Sequence, residues 1–353
     1  MDARPATEDA PERRVLDAAR GGDENAFRRL VEPHRAELHA HCYRMLGSLH
    51  DAEDALQDTM LRAWRGLPRF EQGRSLRPWL YRIATNVCLD AIAKRPKRVL
   101  PLDHGSAVDA EAGPGKPLAE TLWLEPYPDD ALDLPDGLAA PEARYAQRES
   151  VELAFVAALQ HLSARQRAVL VLREVLGFSA REVADSLETT AASVNSLLQR
   201  ARRTVEERLP AQSQQATLRS LGDERLRDVV GRYVEAWESR NVEALRALLV
   251  EDASFEMPPH PNWFHGRDTV IAFIVRTGTP RLRHVLTRAN GQPAVGWYLW
   301  SPSRDRYVAT ALEVLALEGD RVKDITAFAL PRLFPLFGLA PELPAELIGE
   351  DGA

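Results

Sequence analysis

Asp51-Ala-Glu-Asp-Ala-Leu-Gln-Asp-Thr-Met-Leu-Arg-Ala-Trp64, followed by Phe70-Glu-Gln-Gly-Arg-Ser75 and Arg77-Pro-Trp-Leu-Tyr-Arg-Ile-Ala-Thr-Asn-Val-Cys-Leu-Asp90, decides the fold of the first part of the chain. Leu56, Met60, Trp64 and Leu67 recur at helical spacing, with Asp51, Asp54, Asp58, Arg62 and Arg65 on the other side. That pattern predicts an amphipathic helix with a charged outer face. The next helix, from Leu76 to about Lys97, carries Trp79, Leu80, Ile83, Ala84, Val87, Cys88 and Ala91 as one buried stripe. Tyr81, Arg82, Thr85 and Asn86 are then expected to project from the opposite face, and Lys94, Arg95, Lys97 and Arg98 close the helix. An exposed ring stacks on an unpaired base, while guanidinium, hydroxyl and amide groups bond phosphates and base edges. A basic cluster neutralises phosphates. On physics alone, a nucleic-acid surface and a plain solvated face explain these residues equally well.

The chain of 353 residues is long enough for two or three domains. With 45% hydrophobic and 27% charged residues it has an ordinary globular composition. No apolar run is long enough to span a membrane. The polar start Met1 to Glu8 lacks the apolar core of a secretory signal, so a cytoplasmic location is expected and no membrane contact. A net charge of −7 argues against nucleic acid only on average. Val15 to Arg98 holds 15 basic against 11 acidic residues, whereas Val99 to Arg144 holds 10 acidic against 2 basic, with 7 prolines. The second stretch therefore reads as a linker. Cys42 and Cys88 form no CxxC and pair with no histidine motif, so buried core thiols are expected, with neither a zinc site nor a disulfide.

Charge and periodicity together divide the chain into a helical unit over 15–98, an acidic proline-rich linker over 99–142, a second helical unit over 143–210, an α+β unit over 220–332 and a tail over 333–353. Asp23 is placed to cap the helix holding Phe27, Leu30 and Val31. In the second helical unit, Leu162 to Gly177 is amphipathic and ends in a glycine stop. Ser179, with Glu182 at the capping-box position, starts a short helix, and Thr189 or Thr190 caps the next. Helix, short turn, helix is the geometry that delivers its second helix to a major groove, with an ordinary helical hairpin as the alternative. On that second helix Val194, Leu197, Leu198 and Ala201 form the apolar side, and Asn195, Ser196, Gln199, Arg200 and Arg203 point outward. Asn and Gln can bond adenine bidentately, and Arg can bond guanine or phosphate. In the third unit, helical patterns around Val230 and Leu245 give way to short runs over 282–289, 294–300, 306–317 and 321–329, the signature of antiparallel strands.

The first stretch resembles region two of the bacterial sigma-70 family, in its extracytoplasmic-function (ECF) group, and Leu162 to Arg203 resembles region four of the same family. The resemblance implies that Asp54, Gln57 and Asp58 dock on core RNA polymerase. It implies that Phe70, Ser75, Tyr81, Arg82, Asn86, Lys94 and Arg95 engage the melted minus-ten element of promoter DNA. Region four would read the minus-thirty-five element through Asn195, Ser196, Gln199, Arg200 and Arg203. Many family members carry arginines where this chain has Asn195 and Leu197, which leaves the promoter sequence open.

The third unit resembles the SnoaL-like, NTF2-like cone fold, also found in polyketide cyclases and isomerases. The expected class is thus multidomain: two all-α sigma-factor domains, the second with a helix-turn-helix, plus a C-terminal α+β cone. Asp252, Glu256, His260, His265, Asp268 and His284 are the acid/base candidates there, but no pair has a spacing that demands a shared site. No catalytic residue, metal or cofactor is assigned, and the protein is read as a sigma factor and not an enzyme. Tyr233, Trp237, Phe255, Trp263, Phe264 and Trp297 could line a cavity for a small ligand or form plain core. The apolar tail Phe328 to Leu339 must bury itself against something. An intramolecular regulatory contact of Phe334 and Phe337 with Trp123 and Tyr127 of the linker, or with region two, is expected. The rival readings are a SnoaL-type cyclase or isomerase and a ligand-sensing one-component DNA-binding regulator.

Overall fold

A computed structural model describes residues 9–71, 75–132, 146–277 and 281–345. The chain forms two compact units. The first takes the described residues up to Pro96 together with Ala131, Leu132 and Leu162–Thr204; the second takes Lys97–Asp130, residues 146–161, and those from Val205 on. Residues Gln72, Gly73 and Arg74 of the expected DNA-contacting loop, the end of the linker and the last residues of the tail lie outside the described residues.

The first unit begins with α1 (Asp9–Arg20), α2 (Glu24–Val31), α3 (Arg35–Leu46), α4 (Leu49–Gly66) and α5 (Leu76–Ile92). Asp23 caps α2 as expected, accepting from the backbone N–H of Asn25 and Ala26 at 2.9 and 3.0 Å. Gly47 ends α3 in the left-handed conformation (φ 68°), and Ser48 then caps α4 by accepting from Asp51 N–H at 3.1 Å. Helices α3, α4 and α5 pack on one another through Leu38, Cys42, Tyr43, Leu56, Leu80, Ala84 and Cys88, all buried. Both cysteines are free thiols in this core. The rest of the unit is a helix Ala164–Leu170 continued by a π-turn to Val175, a helix Ala180–Ser186 and a helix Ala191–Glu206. Ser179 forms the full capping box with Glu182, and Thr190 Oγ1 accepts from Ser193 N–H at 3.2 Å.

The second unit is built on a seven-stranded sheet in the order β2-β1-β6-β5-β4-β3, with β7 paired to β5. Its strands are β1 (Leu249–Glu256), β2 (Trp263–His265), β3 (Leu282–Ala289), β4 (Gln292–Ser301), β5 (Arg306–Glu318), β6 (Arg321–Phe328) and β7 (Glu342–Pro344). β1 and β6 are parallel and the other pairs antiparallel. Register shifts at Trp297/Tyr298 and Ala316/Leu317 curve the sheet. Helices Asp223–Glu238, Val242–Leu248 and Arg267–Thr277 fill its inner face, with Tyr233, Trp237, Phe255, Phe264, Phe273 and Ile325 in one core. Alternation places Ser254, Glu256, Val314, Ala316, Asp324 and Thr326 on the outer face.

The tail covers part of that outer face. Phe334 is fully buried and meets Tyr298 edge-on at 5.1 Å, and the Tyr298 hydroxyl donates to Ala340 C=O at 2.9 Å. Phe334 and Phe337 are therefore taken up by the sheet of their own domain. The tail reaches the linker through Arg332, which donates to Glu125 at 3.0 Å. Gly296 makes this docking feasible: a Cβ there would come within 2.7 Å of Leu339 Cδ1 and 3.2 Å of Phe334 Cε1. Gly296→Val is expected to destabilise the protein by about 1–3 kcal/mol through overpacking, read as a lower urea midpoint with faster proteolysis of the tail. An unchanged midpoint would contradict the docking.

Candidate nucleic-acid interface

Asp54 and Gln57 are exposed on helix α4, with Asp58 half-buried. Asp58 pairs with Arg62 at 2.9 Å, and Arg62 reaches Asp90 of α5 at 3.1 Å. Leu61 stands in the same row at 54% exposure, an apolar group with no place in the core. It was not singled out from the sequence, although it falls outside the helix's apolar stripe.

On α5 the exposed face is narrower than the sequence implied. Arg82, Lys94 and Arg95 are exposed, as is Ser75 just before the helix, and Asn86 is half-buried. Tyr81 and Thr85 are buried at 1% and 0% exposure, which corrects the expectation that both project. His41 of α3 explains Thr85, with Nε2 3.0 Å from Oγ1. Burial pushes the His41 imidazole down to about 3, so it is neutral near pH 7. Tyr81 lies edge-on to His41 at 5.2 Å and to Phe178 at 5.4 Å, and the Arg77 guanidinium sits over both Tyr81 and Phe178 at 5.0 and 5.1 Å. Burial drives the Tyr81 phenol up from its ordinary value. Phe70 is also a core residue at 5% exposure, packed on Trp79 at 4.9 Å and Leu67, so its ring does not face a base. Arg95 pairs with Asp51.

Phe178 and its neighbours thus bring the helix-turn-helix segment onto the face of α5. Arg82 donates to Glu188 at 3.0 Å from the turn between its two helices, where Glu188 takes a positive φ of 52°. Arg167 is buried at 3% exposure and donates to the carbonyls of Met45 and Leu162. Burial lowers it to about 10, which leaves the guanidinium charged near neutrality. The Arg82–Glu188 pair is largely exposed and contributes about 1 kcal/mol at most. Aromatic packing and Arg167 therefore hold this face. None of these contacts was read from the sequence, because Arg167 and Phe178 lie far from α5 along the chain.

The helix Ala191–Glu206 turns its polar side outward, with Leu197 half-buried. Asn195, Ser196, Gln199, Arg200 and Arg203 are all exposed, while Val194, Leu198 and Ala201 are buried. Arg200 Nε folds back onto Ser196 C=O at 3.3 Å, and Arg202 is tied to Glu174.

In the second unit, the linker motif Trp123 to Asp129 is seated on the turn between β3 and β4. Asn290 and Gly291 both take positive φ (57° and 70°), the Asn-Gly geometry that a two-residue hairpin requires. Asn290 Oδ1 accepts from Tyr127 N–H at 2.9 Å, Asn290 N–H donates to Tyr127 C=O at 2.7 Å, and Nδ2 donates to Val151 C=O at 2.7 Å. Asp129 accepts from Gly291 N–H at 2.7 Å and from Arg288 Nε at 3.0 Å. Gln292 Oε1 accepts from Leu153 N–H at 3.0 Å. Next to it, the Glu152 carboxyl accepts from Gln215 and Gln214 N–H at 2.6 and 3.1 Å, the first residues of a helix Gln214–Leu221. Trp123 and Tyr127 are buried, Trp123 accepting through its carbonyl from Arg98 at 2.6 Å.

Of the acid/base candidates, Asp252 and His265 lie within electrostatic reach of each other on β1 and β2, while Asp268 and His260 have separate partners. Asp252 pairs with Lys323, Asp268 with Arg246, and His260 Nδ1 lies 2.8 Å from Gly115 C=O. His284 is on the inner face beside Glu238 at 3.3 Å, Glu256 is on the outer face, and His265 is exposed. Of the aromatics, Tyr233, Trp237, Phe255, Phe264 and Trp297 form core, whereas the indole of Trp263 donates to Gly105 C=O at 2.8 Å in the linker. Glu313, buried within the inner face and accepting from the Tyr233 hydroxyl at 2.8 Å, was not anticipated. Among the described residues no helix is long and apolar enough to cross a membrane.

Residues 30–98 match the sigma-70 region 2 family, residues 152–205 the sigma-70 region 4 family and residues 230–325 the SnoaL-like domain. The ECF RNA polymerase sigma factor SigG of Mycobacterium tuberculosis is 43% identical over 330 residues, covering 92% of this chain and 86% of that protein. SigW of Bacillus subtilis, also an ECF sigma factor, is 28% identical over 188 residues, 53% of this chain and 91% of that one. The crystal structure of the M. tuberculosis extracytoplasmic function sigma factor SigJ has the same fold, with a TM-score of 0.57 at 22% identity over 87% of this chain and 97% of SigJ.

Proposed function

The chain belongs to the ECF RNA polymerase sigma factors, and we propose on that premise that its SnoaL-like domain is a clamp in cis on the segments joining its two DNA-reading regions. A sigma factor gives core RNA polymerase its promoter recognition, so core polymerase and promoter DNA are its partners. In this reading Asp54, Gln57 and Asp58, with Leu61 beside them, dock on the core enzyme. Arg82, Asn86, Lys94 and Arg95, with Ser75 at the start of α5, hold the melted minus-ten strand. Tyr81 and Phe70 reach a base only after rearrangement, Tyr81 when Phe178 and Arg77 move off it. Asn195, Ser196, Gln199, Arg200 and Arg203 read the minus-thirty-five element.

One observation supports the clamp above all: the hairpin tip Asn290-Gly291-Gln292 bonds both the linker at Tyr127 and Asp129 and the entrance to region four at Val151 and Leu153. Residues 123–129 fixed in this way cannot extend, whereas a free chain reaches about 3.3–3.6 Å per residue. The domain works by holding the linker.

The DNA-reading assignment is tested by competition binding of the polymerase holoenzyme to promoter variants. Asn195→Ala and Arg200→Ala are each expected to lose about 1–3 kcal/mol of discrimination at one base pair. Lys94→Ala is expected to weaken all sequences alike and reduce the salt dependence. Unchanged discrimination in both recognition-helix variants would contradict the assignment.

A further inference from the structure

The outer face of the sheet is not fully covered. Beside the clamp lies an open cleft of about 710 Å³, within the 300–1,000 Å³ of small-molecule sites. Its walls come from the linker turn at Leu100 and Leu102, the helix Leu153–Leu159, the joint at Leu209 and Pro210, and the outer face of β1, β5 and β6. Those side walls are largely apolar. The floor is polar: Glu256 and Thr326 face each other across β1 and β6, as do Ser254 and Asp324.

The charges around this floor are uneven. The basic groups at the cleft sit against its rim carboxylates, and Lys323 and His265 also act on Asp324. Lys323 pairs with Asp252 and lies 3.9 Å from Glu318, while His161 and Arg208 both approach Asp103, at 2.9 and 3.9 Å. Glu207 adds a further acid. Glu256 is 3% exposed and is held by donors that carry no charge, Thr326 Oγ1 at 2.9 Å and Leu102 N–H at 3.2 Å. The charged groups that act on it are Asp324 and Asp103, both acidic. A carboxyl buried among apolar walls and other acids lacks the cation that would stabilise its ionised form.

We infer that this cleft is a binding site for a small molecule bearing a protonated amine on an apolar body, the ammonium group seated on Glu256 and Asp324 and the body against Leu102, Leu153 and Leu209. An anionic ligand would meet Glu256 with only acids acting on it and is excluded by the same charges. Burial holds Glu256 up at about 8, so the carboxyl gives up its proton to solvent as the ammonium arrives. Because the walls include the linker and the helix that opens region four, an occupant ties those segments to the domain. The site is independent of the promoter-reading assignment and goes beyond the clamp.

Isothermal titration of the full chain with tryptamine, and with indole-3-propionate as its anionic counterpart, tests the site. Tryptamine is expected to give saturable heat that depends on the ionisation enthalpy of the buffer, reporting proton release, and to bind more tightly as pH rises from 6 to 8. Indole-3-propionate is expected to be inert. Glu256→Gln is expected to weaken tryptamine at least tenfold and abolish the proton release. Ala157→Leu, which fills the cleft from the helix without altering a carboxyl, is expected to block binding. Equal binding of the two probes, no saturable heat with tryptamine, or unchanged affinity in both variants would overturn the inference.

Discussion

Asn290→Ala is expected to lower the unfolding free energy by about 3–5 kcal/mol and to release the linker from the SnoaL-like domain. The side chain is fully buried and satisfies two backbone groups, Tyr127 N–H and Val151 C=O. Each loses its partner in the variant at about 1–3 kcal/mol. Alanine is also a poor occupant of the positive φ that Asn290 adopts. Hydrogen exchange should show the Tyr127, Gly291 and Leu153 amides losing protection together, because their acceptors all belong to one docked arrangement. Arg288→Ala, which removes an exposed side chain's contacts to Asp129 and to Gly291 C=O, is the milder comparison and should cost about 1 kcal/mol or less. Similar small losses in the two variants would mean that the linker rests on the domain without being fixed by it.

Stability should also fall as pH rises from about 5 to about 8, with a loss on the order of several kcal/mol. Burial holds Glu152 up at about 7 and Glu256 and Glu313 at about 8, against an ordinary value of 4.5. Below that ordinary value both the folded and unfolded chains carry these protons. Between it and the folded values, the folded chain keeps protons that the unfolded chain has lost, so unfolding becomes easier with each step in pH. Above about 8 all three are ionised in both states and the loss is complete. Glu37 and Glu238 are shifted the other way, Glu37 despite burial through His34 and Arg77, and Glu238 despite burial through His284. They contribute stability above their ordinary range that is lost as pH falls further, and His41, held near 3 by burial against an ordinary 6.5, opposes the descent below about 6.5, so the fall is steepest between about 6.5 and 8. Glu313→Gln is expected to flatten the descent and to be more stable than the parent protein at pH 9. Urea unfolding at pH 5, 7 and 9 measures both effects, and a parent curve that is flat across this range would contradict the burial of these carboxyls.

The parts of the molecule that were legible in the sequence are those set by local spacing. The helix caps at Asp23, Ser179 and Thr190, the strands from β3 to β6 and the outward set on the recognition helix all depend on neighbours within a few residues. β1, β2 and the helix Arg267–Thr277 were not distinguished, since their short runs carry too few periods to separate strand from helix or loop. Exposure on α5 was misjudged for Tyr81 and Thr85 because their cover comes from His41 and Phe178, at long sequence separation. The linker motif was visible as apolar anchors in an acidic stretch. Its partner was not, because Asn290-Gly291 reads as an ordinary hairpin turn and nothing local reveals that the amide also grips two other segments. Glu256 was noted as a candidate acid, but the apolar walls around it, assembled from the linker, region four and the joint, emerge only in three dimensions.

Run-off transcription with core RNA polymerase on a genomic promoter library, comparing the full-length protein with its Asn290→Ala variant, tests the clamp most directly. The account predicts discrete transcripts that require the added protein, and the same start sites in both forms with a several-fold change in yield when the clamp is released. Identical yields from the two forms, once hydrogen exchange has shown the linker freed, would contradict it.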